Sequence, residues 1–188
     1  CLTVNWINFK TLYTSGFMNI IVCVDNKWGI GKNNGLLFHL PKDLQYFKEK
    51  TKNKIVVMGG NTLLSLPGSK PLPNRTNIVL SDEFKRDDCK VVETLEELKI
   101  ELKKYNDDDI FIIGGAMFYA TMLNYCDKAY VTKVDSVCED ATVFFPNLDD
   151  KSNWELESVS KPQEDSGYII RYCVYRNKNK QSFFKIFD

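Results

Sequence analysis

Short, predominantly apolar runs punctuate the chain at Ile20 to Val24, Ile55 to Met58, Asn77 to Leu80, Ile110 to Ile113 and Ala129 to Thr132. Runs of this length without polar alternation predict strands covered on both faces of a sheet. Between them the spacing predicts helices over residues 42–51, 61–66, 94–104 and 115–123, and Thr94-Leu95-Glu96-Glu97 has the form of a capping box at a helix start. Strands alternating with helices require crossover connections, so the pattern predicts an α/β fold with a mainly parallel central sheet and flanking helices. Near the end the pattern changes. Residues 154–160 and 168–175 alternate, and they flank Gln163-Glu164-Asp165-Ser166-Gly167, which predicts an antiparallel hairpin at the sheet edge. No repeat or linker divides the chain. The expected organisation is an N-terminal extension over residues 1–17 without assigned function, one domain over 18–176, and a lysine- and asparagine-rich tail over 177–188.

One stretch departs from this regularity. Gly29, Gly31, Asn33, Asn34 and Gly35 make residues 26–37 a loop in this reading, because Gly and Asn accept positive φ. Pro41 then suits the first turn of a helix, where its missing N–H is not needed. Leu44, Phe47 and Tyr46 form the apolar face of that helix and Lys42, Gln45, Lys48, Glu49 and Lys50 the wet one. Asp43 falls at the rim of the apolar stripe, flanked by Leu36, Leu37, Phe38 and Phe47. A carboxylate so placed suits a flat, nitrogen-rich ring, although first-turn carboxylates are also common simply because the helix dipole favours them.

Bulk properties narrow the field. With 188 residues, 44% hydrophobic and 13% aromatic, the chain can bury a core as one domain. The 25 basic and 25 acidic side chains cancel, which leaves no electrostatic case for nucleic acid or an anionic membrane as partner. The six cysteines show no C-x-x-C spacing and His39 is the one histidine, so no metal is expected and free thiols in a reducing cytosol are. Cys23 and Cys173 lie in strand-like runs and read as small core residues. No apolar stretch reaches the roughly 20 residues that span a bilayer.

Two glycine turns end predicted strands. Gly114-Gly115 and Met58-Gly59-Gly60-Asn61-Thr62 each lead into a helix, where free N–H groups can hold a diphosphate, with the Thr62 hydroxyl beside them. Either alone reads equally well as close packing, but the pair suits a crevice that takes an extended dinucleotide. Arg75, one of few arginines, follows the rigid Pro71-Leu72-Pro73-Asn74, which can aim it at a carboxylate; an ordinary surface ion pair is the rival reading.

Residues 20–43, I-V-x-V-D-x-x-W-G-I-G-K-N-x-x-L-L-F-H-L-P-x-D, resemble the start of dihydrofolate reductase. The segments VVMGGNTLLSLPGSKPLPNRTNIVLS (56–81) and DDIFIIGGAMFYATML (108–123) resemble the family's next blocks, in order, and the likeness extends through YVTKVD and FFPN over about residues 18–176. The resemblance implies reduction of 7,8-dihydrofolate by NADPH, with Asp43 as the catalytic carboxylate. It implies substrate contacts at Val22, Asp43, Phe47, Arg75, Ile113 and Thr132, with Thr132 hydrogen-bonded to the carboxylate and Arg75 on the substrate's glutamate tail. It implies cofactor contacts at Val24, Ile30, Gly31, Gly59, Gly60, Asn61, Thr62, Leu80, Ser81, Gly114, Gly115, Ala116, Met117, Phe118 and Tyr119, with a cis Gly114–Gly115 peptide and the 26–37 loop as lid. His39 is read as structural. The expected protein is a cytoplasmic monomer acting on small molecules.

Departures matter as well. Relatives commonly place Arg where Gly60 stands and a further basic residue near Met117, to meet the phosphate that distinguishes NADPH from NADH. Asp82-Glu83 follow Ser81, with Lys85 and Arg86 as possible substitutes, so NADH is expected to be accepted to some degree and Gly60→Arg to favour NADPH. A pyrimidine reductase of flavin biosynthesis and a non-catalytic folate-binding relative stay open as alternatives; Asp43 and the L-P-N-R turn speak against the first.

Overall fold

The computed structural model describes residues 18–33 and 35–184. The expected N-terminal extension, Asn34 of the expected lid and the last four residues of the expected tail lie outside the described residues. In chain order the elements are β1 (Met18–Val24), β2 (Gly29–Lys32), β3 (Gly35–Leu36), α1 (Pro41–Thr51), β4 (Ile55–Gly59), α2 (Gly60–Ser65), β5 (Thr76–Leu80), β6 (Lys90–Val92), α3 (Leu95–Leu102), β7 (Ile110–Ile112), α4 (Ala116–Met122), β8 (Cys126–Val134), β9 (Val143–Phe144), β10 (Trp154–Val159), β11 (Gln163–Asp165) and β12 (Tyr168–Asn177).

The apolar runs are continuous because the sheet is covered twice. Ile20, Val22 and Val24 of β1 pack with Ile55 and Val57 of β4 against Leu98 and Leu102 of α3 and Phe118, Tyr119 and Met122 of α4. The intervening Val56 and Met58 turn the other way, onto Leu63 of α2. A strand's period of two therefore needs apolar residues at both parities here. Strand order is β10-β12-β8-β1-β7-β4-β5-β6, parallel from β8 to β6, with β12 antiparallel to β8 and β10 antiparallel to β12.

This topology opens a crevice. β1 pairs with β8 as far as Val24↔Lys133, but its register with β7 ends at Ile20↔Ile112. Beyond that point β7 gives way to the Gly114–Gly115 turn and α4 while β1 runs on beside β8, so the two strands part at the place where an α/β sheet takes a ligand.

Two expectations change. Residues 26–37 are not all loop: β2 and β3 form a small antiparallel sheet with β9, because Phe145 N–H donates to Trp28 O and β9 ties down Gly29 and Gly31. The expected antiparallel pair at the sheet edge is present as β10 with β12, and the segment between them adds β11, which pairs with β12 across a turn at Ser166 and Gly167, whose φ values are 52° and 85°. β10 is the edge strand and β12 lies one strand inside it. On α1, Leu44 is 46% exposed. Tyr46, on the same expected face, anchors the helix by stacking on Tyr172 at 4.0 Å. Finally, the tail packs as far as it is described: Phe183 is buried in the main core and contacts Tyr125 edge to face.

Candidate active site

Asp43 stands in the first turn of α1, above the C-terminal ends of β1 and β8. Thr132 Oγ1 donates to its Oδ1 at 2.6 Å, and the Cys23 thiol lies beside it and favours its charged form. Cys23 and Thr132 are register partners on adjacent strands, so both face α1 while Val22 and Val24 face the opposite core. The third neighbour is Asp165, whose Oδ2 accepts the Asp43 backbone N–H at 3.0 Å. Burial pushes the Asp43 carboxyl above the usual carboxylate range; the Asp165 charge adds to this, and the hydrogen bonds from Thr132 and Cys23 oppose it. Burial and then the Asp43 charge push the Cys23 thiol well up, and the same two causes raise the Tyr172 hydroxyl to about 12. A half-buried carboxyl with a raised proton affinity at the mouth of a crevice suits proton-coupled chemistry.

Behind it the two glycine turns are joined. Gly59 N–H donates to Gly114 O at 2.8 Å, Gly114 has φ 125°, and the Gly114–Gly115 peptide is cis. α2 and α4 follow with glycines at their N-caps and so have no capping side chain. A Cβ on Gly115 would lie 3.4 Å from Thr62 Oγ1, so turn and hydroxyl are adjacent. Asn61 and Met117 are exposed, Met117 by 87%. Tyr119 is turned inward. Its N–H reaches Gly115 O and its hydroxyl Ile21 O, both at 2.8 Å, so it can meet a ligand only through its ring. Phe118 is a core residue. Ile30 and Leu80 pack on the edge of that core, Gly31 is buried, and Ser81 Oγ accepts the Glu83 N–H at 3.2 Å.

At the opposite end of α1, Arg75 donates from Nε to Pro73 O at 2.9 Å and from Nη1 to Thr51 Oγ1 at 3.2 Å. Its guanidinium lies 5.9 Å from the Phe47 ring centroid. Among the described residues no carboxylate pairs with it, so the surface ion pair is absent. His39 is exposed and outside this constellation, and Phe38 packs edge to face on Tyr168. The five described cysteines are unbonded, and among the described residues no group of ligands could hold a metal.

Sequence reasoning passed over Cys23 and Asp165. For Cys23 the signal was present: with Val22 and Val24 facing one core, parity sends Cys23 to the helix side. Asp165 carried none, being 122 residues from its partner.

Fold and site together define a doubly wound α/β protein with a dinucleotide-type crevice and one half-buried carboxylate at its mouth. A family model described as dihydrofolate reductase matches residues 17–177. The dihydrofolate reductase of Bacillus subtilis (strain 168) is 35% identical over 168 residues, covering 86% of this chain and 95% of the relative. That of Schistosoma mansoni is 32% identical, covering 87% and 98%. A solved structure of dihydrofolate reductase from Enterococcus faecalis, complexed with NADP(H) and RAB-propyl, superposes with a TM-score of 0.76 at 33% identity, covering 88% of this chain and 99% of that one. The chain belongs to the dihydrofolate reductase family.

Proposed function

We propose that Asp43 is the carboxylate through which this protein reduces 7,8-dihydrofolate to 5,6,7,8-tetrahydrofolate with NADPH. The observation that carries this is the Asp43 carboxyl itself, held by Thr132 and Cys23, above the parted ends of β1 and β7. It binds the pterin 2-amino group and N3 and favours a proton at N5. The backbones of Val22 and Ile113 meet the pterin edge, Phe47 flanks the ring, and Arg75 takes the carboxylate of the glutamate tail. The residues fit the cofactor: the two joined turns present Gly, Asn61 and Thr62 donors with no acidic side chain among them. Gly59 to Thr62 and Gly114 to Met117 would hold the diphosphate, Val24, Ile30 and Gly31 the nicotinamide side, and Leu80 and Ser81 the adenosine side. When bound, the reduced nicotinamide supplies the hydride received at pterin C6. The protein's part is to orient the two rings, exclude water and keep a proton donor poised at one edge.

In the same reading residues 18–176 form the catalytic domain, acting as a cytosolic monomer on small molecules without nucleic acid. The free thiols and balanced charge support this. Among the described residues no helix is long and apolar enough to cross a membrane.

Oxidation of NADPH that requires added dihydrofolate is the test. A pyrimidine reductase would oxidise it only with an aminopyrimidine substrate, and a non-catalytic relative with neither.

Cofactor preference follows from the adenosine side. Lys85 pairs with Glu93 at 3.4 Å, and Arg86 is held by Asp88 and by Ser69 O at 2.6 Å, so both substitute cations are engaged elsewhere. With Asp82 and Glu83 nearby, NADPH is expected to exceed NADH by less than about 30-fold in kcat/KM, since one missing charged contact removes about 1.5–3 kcal/mol. Gly60→Arg is a poor way to restore it. A Cβ there would lie 2.8 Å from Ser81 Oγ and 3.1 Å from the Phe84 ring, so the substitution is expected to weaken both cofactors. Asn61→Arg, on the exposed neighbouring position, is expected to widen the NADPH lead about tenfold. Steady-state kinetics with both cofactors decides. A wild-type ratio of several hundred would mean that Lys85 or Arg86 leaves its present partner when cofactor binds.

A further inference from the structure

α1 begins without a cap of its own. The N-cap position is Leu40, which has no side-chain acceptor, and Pro41 follows with no N–H to satisfy. The Leu44 N–H reaches Leu40 O at 2.9 Å, leaving the first-turn N–H of Asp43 to find an acceptor elsewhere. That acceptor is Asp165 Oδ2, at the end of β11. Beside it, Lys42 Nζ donates to Glu164 O, and immediately after the turn the Tyr168 ring packs on Phe38 at 5.1 Å. The hairpin tip therefore grips the helix start from both sides of Pro41.

The choice of an anion is unusual for this task. Asp165 is 3% exposed, and among the described residues no cation pairs with it. A Ser, Thr or Asn at position 40 would cap the helix without burying a charge. What an aspartate adds is a second negative charge near the Asp43 carboxyl.

We propose that Asp165 is a positioning residue for the reduction: its carboxylate fixes, from the β11–β12 hairpin, the turn of α1 from which Asp43 projects, and sets a second acidic group beside it. The proposal rests on the reading of Asp43 given above. The groups facing Asp43 are Cys23 from β1, Thr132 from β8, Tyr172 from β12 with Tyr46 of α1 stacked on it, and Asp165 from β11. No cation is among the groups that shift it. Among the described residues Asp165 is thus the one charged neighbour opposing ionisation of Asp43. With that charge removed, Asp43 releases its proton at lower pH.

The test uses two substitutions on the full chain. Asp165→Asn keeps an acceptor for the Asp43 N–H and removes the charge; Asp165→Ala removes both. Asp165→Asn is expected to keep near-wild-type kcat in acid and to move the alkaline fall of the pH–kcat profile to lower pH. Asp165→Ala is expected to lower kcat about tenfold at every pH, with KM for NADPH unchanged, as a displaced acid requires. The second readout needs no turnover: the carbon-13 NMR titration of the Asp43 carboxyl in ligand-free protein, expected at lower pH in Asp165→Asn. An unmoved Asp43 titration together with an unmoved pH–kcat profile overturns the proposal, and so does a loss in both variants that follows only a lowered Tm. Absence of dihydrofolate-dependent turnover in the wild type removes the functional reading instead, while a moved titration would still support the coupling of Asp165 to Asp43.

Discussion

Asp43→Asn lowers turnover at neutral pH by about 100-fold or more, the usual worth of a positioned acid or base, and leaves NADPH binding intact. The substitution keeps the shape of the side chain and an oxygen for the Thr132 hydroxyl, which now lies 2.6 Å from Asp43 Oδ1. Only the charge and the proton are lost. Protonation of the pterin must then come from solvent, so the variant's rate should keep rising as pH falls where the wild type levels off. The same substitution should stabilise the protein. The carboxyl is pushed up by burial, so the folded state holds this proton more tightly than the unfolded state. Its stabilising contribution is complete below the unfolded carboxyl value and is lost as pH rises through the folded one. Above its folded value the wild type carries a desolvated charge that the amide variant lacks. Thermal melts should show Asp43→Asn above wild type at neutral pH, with the gap closing in acid. Near-normal turnover at neutral pH would remove Asp43 from the mechanism, and a lower Tm would contradict the burial argument.

Arg75→Leu should weaken dihydrofolate binding by about 1.5–3 kcal/mol, the value of a charged hydrogen-bonded pair, or roughly 10- to 150-fold in Kd. The structure makes the expectation sharper. The guanidinium spends Nε on Pro73 O and Nη1 on Thr51 Oγ1, whose own hydroxyl donates to Phe47 O at 2.7 Å. Both partners of Arg75 are neutral, burial already works against its charge, and it therefore has most to gain from an incoming carboxylate. A pterin lacking the glutamate tail should bind the variant and wild type alike. Equal losses for both ligands, measured by fluorescence titration, would assign Arg75 to holding Thr51 and the end of α1.

Patterning by itself determined the α/β class, because only a doubly covered parallel sheet makes apolar runs such as Ile20–Val24 and Ile55–Met58 continuous. It also located the helices to within a residue or two, since Pro41 and the Thr94 box set their starts through local chemistry. The glycine turns were legible for the same reason. What the pattern misread were places where a segment's partner is remote. Gly29–Lys32 became a strand only because Val143–Phe144 came to lie beside it. Leu44 has the spacing of a core residue, yet it stays exposed because Tyr46 and not Leu44 meets the ring of Tyr172 on β12. The surroundings of Asp43 were the least legible of all. Thr132 was named by the resemblance and does donate to Asp43, but Cys23 and Asp165 join it from two further strands, and the electrostatics of a half-buried carboxyl depend on distances of a few ångströms, which residue order along the chain does not encode.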